Sequence, residues 1–306
     1  MLDELLRAVT RGGEDDGPWL VLANWLEAHA DPLRAELLRL HRRLLATCLE
    51  PDGHPERDGW QARIVQLLVQ GVRPCVPQRT LTLAGGVEMT FCWIPPGRLL
   101  TTNHDYDGEG DWLKQVEAGG LYLGVSPVTR KQWRAVLGDA AGPEKDDDLP
   151  VVHVSGAGAE GFCEELGRRT GQEFRLPRDI DWEHACRAGT TTEFFFGETL
   201  PAGTANCGGA CGGPTPPGRF PPNAWGLFDM HGTVREWCIN TTGYPTFSES
   251  YPELLARGGS WQDDASRCGS DSLFYADKVS IPHYADELVG FRVMTWPSDP
   301  DREEVR

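Results

Sequence analysis

Asn223-Ala-Trp-Gly-Leu-Phe-Asp-Met-His-Gly-Thr-Val-Arg-Glu-Trp-Cys238 leads into two shorter anchors, Arg257-Gly-Gly-Ser-Trp261 and Gly290-Phe-Arg-Val293. Glycine set beside Trp and Phe in each of them marks closely fitted, buried backbone. Between the two short anchors the texture reverses, with Asp, Ser, Tyr, Phe and His in place of Gly and aliphatic residues. Rigid ends around a polar and aromatic middle describe a surface held out for contact.

Outward from that stretch, the totals narrow the function classes. A chain of 306 residues with 40% apolar and 25% charged residues is an ordinary globular composition. The 36 glycines and 23 prolines predict many turns and much irregular backbone. A net charge of −17 excludes a general nucleic-acid binder, which needs a basic face. No apolar run reaches membrane-spanning length, and the start, MLDELLRAVTR, lacks the layout of a secretory signal. A cytoplasmic location is therefore the expectation, and with it nine reduced cysteines and no disulfide framework.

Residues 1–70 read as an all-α segment. Leu2, Leu5, Leu6 and Val9 share a helical face, and Pro18 opens a second helix with Trp19, Leu22, Trp25 and Leu26 on one side. Asp31-Pro32 is an N-cap and first helical residue for a third helix bearing Leu33, Leu37, Leu40 and Leu44. Trp60–Val69 supplies a fourth. Residues 71–78 read as a linker, 79–298 as the main domain and 299–306 as a tail. In the main domain Ala84-Gly-Gly86 sits between apolar runs as a hairpin signal, Thr129 starts a helix, and a helix from about Ala157 to Thr170 ends at Gly171. Short strands among helices and glycine-rich turns make an α+β arrangement. The loop 103–111 has the oxygen-rich spacing of a calcium loop but lacks its terminal Glu and flanking helices, and reads as a solvated loop.

Two resemblances follow from these residues. Trp25-Leu-Glu27, Asp31 and Arg34-Ala-Glu36 resemble the short repeat-companion domain, which implies a docking role toward a protein partner; a helical cap on the main domain is the other reading. FCWIPPG, LGVSPVT, PVVHVS, FRLPRDIDWEHACRAGT, NAWGLFDMHGTVREW, RGGSW and GFRV, in that order, resemble the formylglycine-generating-enzyme, or sulfatase-modifying-factor, family. That resemblance implies a C-type-lectin-like fold with little regular structure and a ligand face near the C-terminus. Its members include thiol-dependent oxidases, iron-dependent sulfoxide synthases and non-catalytic recognition proteins, some of them variable proteins diversified by retroelements. Fold alone does not choose among these.

In the oxidase members, cysteines three and eight positions after the GGS motif hold copper(I). Here those positions are Asp263 and Cys268, and a thiolate with a hard carboxylate is a poor site for so soft an ion. Cys268 stands as a catalytic candidate only if the chain is a copper- and thiol-dependent oxidoreductase of this type; otherwise it is structural. The iron reading needs converging histidines, and His29, His41 and His54 lack that spacing and read as solvent-facing. Cys207 and Cys211 lack the second ligand pair a structural zinc would require and read as incidental thiols of a glycine-rich loop. His153 reads as a core histidine. The family's calcium site carries over as the Glu236 carboxylate with carbonyls of Asp229, Gly232 and Val234, although Thr233 and Arg235 replace its Asn and Trp. The alternative for Glu236 is a buried carboxylate satisfied by turn amides.

The expected function is ligand recognition without catalysis. Trp261, Gln262, Asp263, Asp264, Ser266, Ser270, Asp271, Phe274, Tyr275, His283 and Tyr284 are the candidate contacts, for a protein or peptide ligand. The bland reading is a loop with its aromatics tucked inward.

Overall fold

Asp31 caps its helix as its sequence position requires, its carboxylate accepting from the Arg34 amide at 3.3 Å while Pro32 takes the first helical position. The computed structural model describes residues 1–50, 53–103, 112–138, 146–241, 254–274 and 285–297. Helices α1 (Leu2–Gly12), α2 (Gly17–Ala28), α3 (Pro32–Ala46) and α4 (Arg57–Val69) come first. Trp19, Leu22 and Leu26 of α2 are buried, as are Leu37, Leu38, His41 and Leu44 of α3. Leu33 is 46% exposed, so the buried stripe of α3 is rotated from the expected one and takes in a histidine.

The rest of the chain builds two small sheets. Strands β1 (Gln78–Thr82) and β2 (Glu88–Ile94) form the hairpin that Ala84-Gly-Gly86 turns. They join β5 (Leu121–Gly124), β11 (Met294–Thr295) and β6 (Phe174–Arg175) in the order β1-β2-β5-β11-β6, all antiparallel. The second sheet runs β10-β7-β8-β9, from β7 (Arg235–Ile239), β8 (Leu254–Arg257), β9 (Leu273–Phe274) and β10 (Val289–Gly290), with β10 parallel to β7. A separate ribbon pairs β3 (Gly97–Asn103) with β4 (Trp112–Ala118). Helix α5 (Arg130–Leu137) opens on a capping box at Thr129, and α6 (Gly156–Thr170) ends at Gly171 with φ 70°. Helix α7 (Asp179–Arg187) is buried along its whole length. Trp182, Trp225, Trp237, Phe162 and Phe291 fill the space between the layers at 0–1% exposure.

The helices at the start share this core. Trp19 lies 6.1 Å from Trp225, and His41 packs edge-on against the same indole at 4.2 Å. Arg57 donates to the Gly189 carbonyl at 2.6 Å and to the Leu44 carbonyl at 2.8 Å, tying α4 and the end of α3 to the loop after α7. Gln61 donates to Thr192 at 2.7 Å. Cys75 and Val76, in the expected linker, are buried as well.

Two histidine expectations are corrected. His41 is 1% exposed, because α3 turns it onto Trp225 rather than to solvent. Burial drives its imidazole down to about 3, so it is neutral, with a backbone hydrogen bond at Ala188. His153 is exposed rather than in the core; it sits at φ 59° with its amide donating to the Asp286 carbonyl at 2.7 Å. The loop 104–111, Tyr275, His283, Tyr284 and the tail 299–306 lie outside the described residues.

Candidate functional site

Strand β8 leads into Gly258 and Gly259, at φ 90° and 69°, conformations that side-chain-bearing residues rarely adopt. Space demands the same residues: a Cβ on Gly258 would lie 2.9 Å from the Trp182 ring, and one on Gly259 2.4 Å from the Cys268 sulfur. This double glycine turns the chain into Ser260, whose amide and hydroxyl both donate to one Asp263 oxygen, at 2.8 and 2.7 Å. Arg235, the first residue of β7, closes on the same carboxylate with Nε at 2.9 Å and Nη2 at 2.6 Å. The face of its guanidinium lies 3.5 Å from the centre of the Phe274 ring. Burial works to raise Asp263, but the bonds from Arg235 and Ser260 outweigh it and hold the carboxyl below its ordinary range. Arg235 and Asp263, read separately from the sequence as replacements for an expected Trp and Cys, are therefore one fitted pair.

Cys268 follows a short 3₁₀ turn, Ala265–Arg267, and is fully buried. Its thiol donates to the Ser260 carbonyl at 3.9 Å, and the Cys207 thiol lies near enough to bear on its protonation. Sequence reading takes Cys207 and Cys211 as incidental thiols of a glycine-rich loop and does not bring Cys207 near Cys268. The loop carrying Cys207 is pinned to the turn by Gly208 donating to the Asp263 carbonyl at 2.8 Å and Gly209 to the Trp261 carbonyl at 2.7 Å. Thr233 donates to the Asn206 carbonyl at 2.8 Å and fixes the other side of the loop. Burial pushes the Cys268 thiol far up and raises Cys207 too. Beneath them His231 donates from Nδ1 to the Cys268 carbonyl at 2.7 Å and accepts from the Phe195 amide at 3.2 Å. Desolvation lowers this imidazole to about 4, so it supports the turn as a neutral ring.

The candidate contacts divide by burial. Gln262, Asp264 and Ser266 are exposed, while Trp261, Asp271 and Phe274 are half-buried. Asp263 and Ser270 are enclosed: the first in its ion pair, the second with its amide on the Glu193 carbonyl at 2.8 Å and its hydroxyl 3.7 Å from Cys186. Neither is free to meet a ligand. What reaches solvent is a compact polar turn edged by two aromatic rings.

The residues expected around calcium do not fit a hard cation. Glu236 is fully buried and accepts from Arg292 at 2.5 and 2.7 Å and from the Trp182 indole at 2.8 Å, so a guanidinium already supplies the positive charge. Gly232 spends its carbonyl on the Val234 amide at 2.9 Å. Asp229, at φ 56°, accepts from the Thr233 hydroxyl at 3.4 Å, and its second carboxylate oxygen is buried without a hydrogen-bond partner. Desolvation raises this carboxyl to about 7, with Glu236 adding and Arg292 opposing. Among the described residues no group of three or more His, Cys, Asp and Glu converges as a metal site. No described helix is long and apolar enough to cross a membrane.

A family model described as the sulfatase-modifying factor enzyme 1-like domain matches residues 85–296. The mouse (Mus musculus) inactive C-alpha-formylglycine-generating enzyme 2 is 29% identical over 191 residues, covering 58% of this chain and 59% of that protein. The formylglycine-generating enzyme of Mycobacterium tuberculosis is 35% identical over 133 residues, covering 37% and 40%. The match thus spans less than two thirds of these curated relatives. Among solved structures, Treponema denticola variable protein 1 superimposes with a TM-score of 0.59 at 23% identity, covering 72% of this chain and 99% of that one.

Proposed function

Given that the chain belongs to the sulfatase-modifying factor enzyme 1-like domain family, we propose that it is a non-catalytic recognition protein. A protein or peptide ligand meets the turn at Gln262, Asp264 and Ser266, with Trp261 and Phe274 as aromatic edges. The observation that carries this reading is the Arg235–Asp263 pair. The carboxylate standing where an oxidase would place its first thiolate is neutralised, buried and spoken for. Rigid aromatics beside short polar side chains suit adaptable binding at small entropic cost. The mouse relative whose name marks it inactive agrees with a scaffold that persists without the chemistry.

Peptides selected from a display library on the full chain provide the test. Binding that is lost in a Gln262→Ala, Asp264→Ala, Ser266→Ala triple variant is the expected result. Conversion of a cysteine-bearing peptide to an aldehyde by the purified protein would overturn it.

A second reading has its own observation, the Cys207 thiol beside Cys268. Two thiolates suit a soft monovalent ion, and copper held by Cys207 and Cys268 would supply oxygen activation. In that case Cys207, from the glycine-rich loop, takes the part that Asp263 cannot. Anaerobic copper(I) titration of the wild type and Cys207→Ser separates the readings: tight binding lost in the variant supports the enzyme, and no binding in either removes it.

A further inference from the structure

We infer that the cleft between the end of α3 and the loop after α7 is a binding site for a small phosphate monoester, with Arg57, Arg98 and Arg187 around the phosphate and an apolar wall for the group it carries. The site lies apart from Gln262, Asp264 and Ser266, and the inference stands whether or not a ligand meets that turn.

The cleft holds about 420 Å³, within the roughly 300–1,000 Å³ that small-molecule sites occupy, and it sits where the helices meet the rest of the chain, a common place for them. Guanidiniums line it from three segments: Arg57 from the first turn of α4, Arg98 from β3 and Arg187 from the end of α7. Arg57 is only 6% exposed. Its bonds go to the carbonyls of Leu44 and Gly189 and to the Thr47 hydroxyl, all of them uncharged oxygens. Among the described residues neither Arg57 nor Arg98 makes an ion pair. A guanidinium taken out of water without a counter-charge loses hydration that neutral carbonyls return only in part. Arg187 is better matched, donating from Nε to Glu183 at 2.8 Å and lying 3.9 Å from Asp271. Against these cations the wall sets two carboxylates, exposed Glu50 and half-buried Asp271. Positive charge is left over here, in a chain whose net charge is −17.

The donors select the ligand. A guanidinium is a planar fork suited to oxyanions, and forks arriving from separate segments suit a tetrahedral phosphate better than a planar carboxylate, which one fork satisfies. A second cavity of about 220 Å³ adjoins, sharing Leu45, Cys48, Arg98 and His184 with the first. Its wall adds the apolar side chains of Leu49, Pro95, Pro96 and Trp225. The other guanidinium there, Arg42, is already bonded to Asp16 at 2.6 Å. Arg98 is common to both spaces. A phosphate on the side of Arg57 and Arg187, joined to an uncharged ring or chain on the side of Trp225, fills the two together.

Isothermal titration of the full chain with phenyl phosphate, benzoate and inorganic phosphate at fixed ionic strength tests the assignment. Phenyl phosphate should bind saturably, and benzoate and inorganic phosphate at least about tenfold more weakly. Arg98 is exposed, so its loss leaves the core intact. Arg98→Ala should weaken phenyl phosphate by about tenfold or more, and Arg98→Glu should abolish its binding. Cys48 lies on both cavities. Phenyl phosphate should therefore slow alkylation of Cys48 by N-ethylmaleimide, read by peptide mapping, and leave Cys211 unaffected. Absence of saturable binding, or equal affinity in Arg98→Glu, would overturn the inference. Benzoate binding as tightly as phenyl phosphate would overturn it too, and inorganic phosphate doing so would put the free ion in place of an ester.

Discussion

Arg235 and Asp263 stand opposite one another as a buried, two-pronged ion pair, 2.6 and 2.9 Å long, with the guanidinium laid over Phe274. Removing either partner alone strands the other in a water-poor site. Asp263→Ala and Arg235→Ala should each destabilise by about 3–5 kcal/mol in urea unfolding, and the double variant by less than their sum. Additive losses would show that the pair is not coupled.

The same pair has a pH signature. The folded Asp263 carboxyl titrates below its unfolded value, so its stabilisation is complete above about pH 4 and is lost as pH falls through the folded value. Asp263→Asn removes that acidic limb from a plot of stability against pH. Denaturant midpoints measured between pH 2 and 6 check it.

Asp229 is shifted the other way, to about 7, with one oxygen unpaired. Between pH 4 and 7 the unfolded chain releases this proton and the folded one keeps it, so stability falls as pH rises through that window. Asn tolerates the left-handed backbone of this position. Asp229→Asn should therefore stabilise the protein by about 2–4 kcal/mol at pH 8 and change little at pH 4. Equal effects at the two pH values would contradict the assignment.

His41 links acid to the helices. Its folded value near 3 lies below the ordinary histidine range, so the unfolded state takes up the proton first, and stability drops as pH falls from about 6.5 toward 3. Protonation places a charge against Trp225. Tryptophan fluorescence should report the helices separating from Trp225 on acidification, and His41→Phe should move that transition to lower pH.

Much of the fold could be read from neighbouring residues. Asp31-Pro32, the Thr129 capping box, Gly171 and the Ala84–Gly86 turn are short-range signals, and each marks the element that the structure contains. The family motifs placed the lectin-like scaffold as well. The site resisted such reading because its decisive contacts join distant segments. Nothing local to Arg235 points to Asp263, and nothing local to Cys207 points to Cys268. The helical period puts Leu33 inside and His41 reads as solvent-facing, because the indole that receives His41 belongs to the other part of the chain.

Strand β11 lies between β5 and β6, although both are made long before it. During translation the larger sheet therefore waits, with facing edges unpaired, until Met294 and Thr295 have left the ribosome. Unpaired edges recruit other strands. A nascent chain stalled before Met294 should dwell on chaperones, and a stop codon there should send the product to aggregation or proteolysis even though both thiols and the polar turn have already been synthesised.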